Sequence, residues 1–153
     1  MKDISKGMLA GLAATIVLSA LMVSKMMMGL TPQLDIAKML ATMMGSPDTP
    51  LVGWIVHFAI GIVVYGVAIA VLDSKLPGTS HVGHGIMLGV IGWLIMMVML
   101  MPMAGAGFFG MNMGTMAAVT TLVLHLIFGA ALGWVYGRFG ATQDMASMPR
   151  ARA

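Results

Sequence analysis

The sequence predicts an all-α integral membrane protein, a four-helix bundle built from two tandem helical hairpins with a short amphipathic helix on its outer surface. Two observations carry this fold class. Of the 153 residues, 59% are hydrophobic and only 8% are charged, whereas soluble domains carry about 25% charged residues. No Asp, Glu, Lys or Arg occurs from Leu76 to Gly137, and only two membrane crossings with a short lipid-level connection explain so long an uncharged stretch. The composition therefore excludes a soluble globular domain.

The four predicted spans are apolar segments long enough to cross about 30 Å of hydrocarbon at about 1.5 Å of rise per residue. They lie at roughly 7–30, 51–72, 82–103 and 115–137. Together they define one four-transmembrane domain over residues 1–140. Residues 141–153 are mostly polar or small, and we predict a flexible cytoplasmic tail there.

A short surface helix is predicted between the first two spans. Thr31 can cap its N-terminus, and Pro32 suits the first helical turn, where a missing N–H is no loss. Gly45 closes the helix. One face carries the apolar residues Leu34, Ala37, Leu40, Ala41 and Met44. This pattern is typical of a helix that lies flat on the outer membrane surface.

The orientation follows from the distribution of cations across alternating spans. Six of them lie on the side of the termini (Lys2, Lys6, Lys75, Arg138, Arg150 and Arg152), and two lie opposite (Lys25 and Lys38). An excess of cations marks the cytoplasmic side. We therefore predict a multi-pass protein of the bacterial inner membrane with both termini in the cytoplasm. Lys25 is expected near the outer interface, with its ammonium group reaching water.

The same inventory limits the partners. The cations follow the ends of the apolar segments and form no stripe, which excludes nucleic-acid binding. The absence of cysteine excludes disulfides, thiolate metal sites and iron–sulfur clusters. The lipid bilayer is the predicted partner, with a homo-oligomer or a larger membrane complex as a further possibility.

Small residues recur at a spacing of four on the spans, and such ridges mark the faces where helices pack in lipid. Spans one and three both begin with Gly-x-x-x-Gly, and spans two and four both carry a His followed four residues later by Gly. The chain is therefore predicted to contain an internal repeat, with two related hairpins inserted the same way up.

Three motifs stand out along the chain: Gly53-Trp54-x-x-His57, the stretch Met101-Pro102-Met103-Ala104-Gly105-Ala106-Gly107-Phe108-Phe109-Gly110, and His125-x-x-x-Gly129-x-x-x-Gly133-x-x-Tyr136-Gly137. Together they resemble an uncharacterised family of small four-span bacterial membrane proteins, known only as a domain of unknown function. The resemblance covers nearly the whole chain except the tail. It implies the fold and the membrane location, and it brings no activity, substrate or cofactor.

The two intramembrane histidines suggest a haem site. His57 and His125 are predicted on facing helices, with Gly61 and Gly129 one turn further along. The imidazoles could be axial ligands of a b-type haem, and the glycines would let the porphyrin approach the backbone. The favoured alternative is packing, in which each neutral imidazole forms a hydrogen bond to a neighbouring helix and the glycines serve helix contacts.

The methionines suggest a copper site. The chain has 20 of them, concentrated in the predicted outer half, and thioether sulfur is a soft ligand that selects Cu(I). The candidate ligands are Met99, Met101, Met103, Met111 and Met113. The favoured alternative is again packing, because methionine is an adaptable apolar residue that fills gaps and suits lipid-facing positions.

Other chemistry has less support. His81-x-x-His84 with Asp73 nearby could bind a metal at the cytoplasmic edge, although a solvated loop is the favoured interpretation there. The chain has neither Cys nor Glu, which leaves little for nucleophilic or acid–base catalysis. We therefore favour a non-enzymatic accessory or structural membrane protein, with a haem-binding electron carrier and a Cu(I)-handling protein as alternatives.

Overall fold

The computed structural model describes residues 4–30 and 34–147, which form five helices and their connections. The helices are α1 (Ile4–Met27), α2 (Ile36–Met43), α3 (Pro50–Lys75), α4 (His81–Met103) and α5 (Thr115–Ser147). Four of the five, all except α2, contain a segment long and apolar enough to cross a membrane. The predicted all-α four-helix bundle is confirmed.

The first hairpin consists of α1 and α3, whose backbones touch at glycines. A Cβ atom on Gly7 would overlap the carbonyl oxygen of Gly66, and one on Gly11 would overlap that of Gly61. The predicted glycine ridge of α1 is therefore a helix contact face inside the bundle. Close backbone approach of this kind holds helices together in lipid, where the hydrophobic effect gives no driving force between them.

The second hairpin, α4 with α5, is built in the same way. A Cβ atom on Gly85 would overlap the Gly129 carbonyl oxygen, and one on Gly89 would overlap that of His125. In both hairpins the glycine four residues after the histidine thus meets a glycine of the preceding span. The two hairpins therefore pack in the same register.

The hairpins join through one apolar core near the middle of the bundle. Its buried members come from all four long helices: Ala10, Ala14, Leu18, Met22, Ile69, Leu88, Phe128 and Leu132. Tyr65 of α3 bridges the hairpins, because its ring lies 4.8 Å from that of Phe128 and its hydroxyl occupies the space beside Gly92 of α4.

The short helix α2 differs from the prediction in its start and in its environment. It begins at Ile36 and its N-cap is Asp35, whose carboxylate accepts a hydrogen bond from the Lys38 backbone N–H at 2.9 Å; Thr31 and Pro32 lie outside the described residues. Its apolar face is buried in the protein, since a Cβ atom on Gly53 of α3 would overlap the Ala37 carbonyl oxygen. Helix α2 therefore packs its apolar face on α3, whereas the prediction placed that face on the membrane surface.

Two further findings concern Lys25 and the C-terminal segment. Lys25 is only 8% exposed, and its ammonium group donates a hydrogen bond to the Leu34 carbonyl at 2.9 Å, so a protein carbonyl satisfies the charge that we expected to reach water. Helix α5 continues to Ser147, into the segment predicted as a tail; residues 148–153 lie outside the described residues.

The bundle has two ends that matter for function. The α2 end carries α2 and the connection between α4 and α5, which includes a 3₁₀ turn over Phe108–Met113. The opposite end, called here the loop end, carries the connection between α3 and α4. Gly7 near the start of α1 contacts Ala70 there, and Gly137 of α5 contacts His81.

Candidate functional site

The two predicted haem ligands lie in the interior of the bundle. His57 of α3 packs its ring edge-to-face on Trp54, with ring centres 5.7 Å apart. The His125 Nδ1 donates a hydrogen bond to the Thr121 carbonyl at 2.8 Å. The His57 Nε2 atom is buried and has no hydrogen-bond partner among the described residues.

The two glycines of the haem prediction are in contact with other helices. A Cβ atom on Gly61 would overlap the Thr15 hydroxyl, and one on Gly129 would overlap the Gly85 carbonyl oxygen. Their open faces are therefore filled by helix packing and give a porphyrin no room at these two positions. His57 and His125 stay candidate ligands. Gly61 and Gly129 are explained by the contacts between helices within each hairpin.

The five predicted copper ligands are not brought together as one group. Met101 is fully buried beneath the α4–α5 connection, whereas Met99 and Met111 are exposed. Met103, which is also exposed, and Met113 border the same cavity near α2. Of the five, Met103 and Met113 border one cavity, and Met113 also packs against the buried cluster that contains Met101.

That cavity has a volume of about 370 Å³ and lies between α2 and the connection that follows α4. Four methionines border it from the two sides: Met39, Met43, Met103 and Met113. We call this the methionine pocket. Asp35, Lys38 and Thr42 of the α2 segment supply its polar lining. Sequence reasoning did not select Met39 and Met43 as ligands, although their i, i+4 spacing places both on one helix face.

A second cluster of possible metal ligands lies at the loop end. Asp73 lies in the last turn of α3, and His81 and His84 lie in the first turn of α4, where an i, i+3 spacing puts them on one face. His81 Nδ1 is 2.9 Å from both Asp73 carboxylate oxygens, and His84 Nδ1 is 2.9 Å from Oδ1. The three ligand atoms all lie within 4.8 Å of one another. We call these residues the Asp–His–His cluster.

The helix start of α4 fixes this cluster. Ser80 is the N-cap, and its hydroxyl accepts a hydrogen bond from the Gly83 N–H at 3.3 Å. His84 is buried, with 5% exposure, and its Nε2 donates to the Gly78 carbonyl at 3.3 Å. The spacing of His81 and His84 in the sequence predicts that they share one helix face. Their contact with Asp73 depends on how α3 and α4 are joined.

Comparison with known proteins agrees with the resemblance noted from the motifs. A family model described as a family of unknown function, DUF6789, matches residues 1–147. No curated protein and no solved structure matches the chain. The site therefore has to be interpreted from its own residues.

Proposed function

The chain belongs to the family of unknown function DUF6789, and we propose that it is a non-enzymatic accessory protein of the bacterial inner membrane that binds a soft metal ion, Cu(I) or Ag(I), in the methionine pocket. Both termini lie in the cytoplasm in this proposal, which places the α2 end on the outer side. One observation carries it: methionines from two separate parts of the chain border a single cavity.

The donor set favours a soft monovalent ion. Thioether sulfur is neutral and polarisable, and it selects Cu(I) over harder ions such as Mg²⁺ or Ca²⁺, which need several oxygen ligands. One oxygen of the Asp35 carboxylate accepts the N-cap hydrogen bond of α2. The Lys38 side chain also borders the cavity, and its positive charge repels a divalent ion twice as strongly as a monovalent one at the same distance.

The pocket is also built to adjust around an ion. Met is unbranched and has three rotatable side-chain bonds, so its sulfur can reorient at low cost. Met39 and Met113 rest against the buried cluster formed by Leu34, Met96, Met97, Met101 and Ala106, whereas Met103 is 70% exposed. The pocket therefore combines ligands anchored by the core with one at the surface through which an ion can enter.

The non-enzymatic part of the proposal is supported by composition. The chain contains no Cys and no Glu, so it offers no thiolate nucleophile and few carboxylates for proton transfer. Binding, positioning and transfer of an ion need neither group. An accessory role in metal handling is therefore within the chemistry that these side chains can perform.

The test is a Cu(I) titration of the detergent-purified protein under reducing conditions, with a chromophoric chelator as competitor. We expect the wild type to take copper from the chelator and the variant Met39→Leu/Met43→Leu/Met103→Leu/Met113→Leu to lose this ability. Met99→Leu/Met111→Leu is the matched control, because both residues are exposed and neither borders the pocket. Equal copper binding by the two variants would show that the pocket is not the site.

Haem binding by His57 and His125 is the second candidate, favoured by one observation, the buried and unpartnered His57 Nε2. The same purified protein decides it. Near-stoichiometric iron with a haem Soret band, both lost in His57→Ala, would support axial ligation. Absence of iron after expression with iron and a haem precursor supplied would leave the two histidines as packing residues.

A further inference from the structure

We propose that Asp73, His81 and His84 form a binding site for a divalent transition-metal ion such as Zn²⁺ at the loop end of the bundle. The inference is independent of the methionine pocket, since it uses other residues at the opposite end. Two imidazoles and one carboxylate are borderline ligands, which suit Zn²⁺, Co²⁺ or Ni²⁺ and give Cu(I) no thioether.

The spacing of the ligand atoms fits an ion after a small adjustment. Ligands about 2.1 Å from a tetrahedral Zn²⁺ ion are about 3.4 Å from one another. The histidine nitrogens and the Asp73 oxygens are 2.9 Å apart, so each contact has to open by roughly half an ångström. Rotation of the exposed His81 ring, whose side chain is 46% accessible, can supply this change.

The hydrogen bonds of His84 point to a positive charge between it and Asp73. A carbonyl oxygen can only accept, so the contact with Gly78 places a proton on His84 Nε2. In the neutral ring, Nδ1 then carries a lone pair that faces a carboxylate oxygen at 2.9 Å. Two acceptors cannot remain in contact unless a proton or a cation lies between them.

The contact between His84 Nε2 and the Gly78 carbonyl is of a kind that is common around metal ligands. Metal-binding histidines usually donate their second ring N–H to a backbone carbonyl or a carboxylate, which fixes the tautomer and the ring orientation. His84 does this through the Gly78 carbonyl. Its burial also holds the ring in place before any ion arrives.

The site is open on one side. The side chain of His81, one of the three proposed ligands, is 46% accessible to solvent. Water can therefore reach the ion and fill the fourth coordination position, as in three-ligand zinc sites.

The alternative is a purely structural lock, in which a protonated histidine pairs with Asp73 and ties α3 to α4. Both explanations predict that loss of Asp73 weakens the connection. They differ in one respect, because only the metal site makes stability and spectroscopic properties depend on added ions.

The experiment titrates Zn²⁺ and Co²⁺ into the chelator-treated, detergent-purified full chain. We expect one ion per chain, visible d–d absorption from bound Co²⁺, and a higher Tm with Zn²⁺. Asp73→Asn and His81→Ala should each weaken binding at least about tenfold, since loss of outer-shell partners alone costs about 10- to 100-fold. Asp48→Asn is the matched control, because it makes the same change at an exposed position and should bind as the wild type does.

Two results would overturn the proposal: no saturable Zn²⁺ or Co²⁺ binding by the folded wild type, or wild-type affinity in both cluster variants. If Asp73→Asn fails to fold by circular dichroism, His81→Ala carries the test alone. The fourfold methionine variant should bind Zn²⁺ normally, so failure of the copper proposal and failure of this one give different patterns.

Discussion

The glycine contacts make a sharp prediction about stability that involves no ligand. In Gly11→Ala, the added methyl group meets the Gly61 carbonyl oxygen and the backbone around Ile62. Both obstacles are main chain, so they cannot rotate away as a side chain would. Helices α1 and α3 must therefore move apart by roughly 1 Å to restore normal contact.

The size of the effect follows from two opposing contributions. A gap of about 0.5–1 Å forfeits a quarter to a half of the dispersion attraction between the atoms that face it, and overpacking at a tight site costs about 1–3 kcal/mol. Replacing Gly by Ala inside a helix returns up to about 1 kcal/mol. We therefore expect Gly11→Ala to lower the free energy of unfolding by about 1–2 kcal/mol.

Gly83→Ala is the matched control, because it makes the same change in a helix with space available. The nearest atom to its new Cβ would be the Ser80 Cβ at 3.7 Å, an ordinary contact, so only the helix-propensity gain remains. Denaturant unfolding in mixed micelles, followed by circular dichroism, measures both variants. The reasoning is refuted if Gly11→Ala equals or exceeds the wild type in stability while Gly83→Ala behaves as expected.

Three further contacts are tested by substitution, each by the same unfolding measurement. Asp35→Ala removes the side-chain cap of α2 and should cost about 0.5–2 kcal/mol, whereas Thr49→Ala at the N-cap of α3, where no side-chain hydrogen bond is formed, should cost much less; equal losses would contradict the capping role. Trp93→Phe removes the indole N–H that donates to the Ala118 carbonyl and the Thr121 hydroxyl, and a loss of about 1 kcal/mol is expected. Lys25→Met leaves the buried Leu34 carbonyl without this donor and should cost about 1–3 kcal/mol; a more stable variant would mean that burying the ammonium costs more than its hydrogen bond contributes.

The spans and their contact faces could be predicted because both depend on local composition. A membrane-crossing helix needs only length and hydropathy, and a glycine ridge such as that of α1 can pack only where another backbone approaches it. The family resemblance drawn from the motifs is confirmed by the match over residues 1–147.

The candidate sites were less accessible to sequence reasoning, since they depend on which segments meet. Met39 and Met103 border one pocket only because α2 folds back onto the start of α3. The Lys25 ammonium group was expected to reach water, and it donates instead to the Leu34 carbonyl, a partner that composition does not reveal. The Thr31-Pro32 signal for a helix start was plausible, but Asp35 forms the cap.

The shared register of the two hairpins shows where the second hairpin gains chemistry that the first lacks. Gly11 meets Gly61 as Gly85 meets Gly129, so the position four residues earlier is Gly7 in α1 and His81 in α4. Both residues contact the partner helix of their hairpin. Gly7 lies against the Gly66 carbonyl, and the His81 carbonyl lies against Gly133. The backbone contact is thus kept while the side chain is replaced by an imidazole directed at Asp73. The backbone contact needs no side chain at this position, so the imidazole adds the contact with Asp73 on which the metal-binding proposal rests.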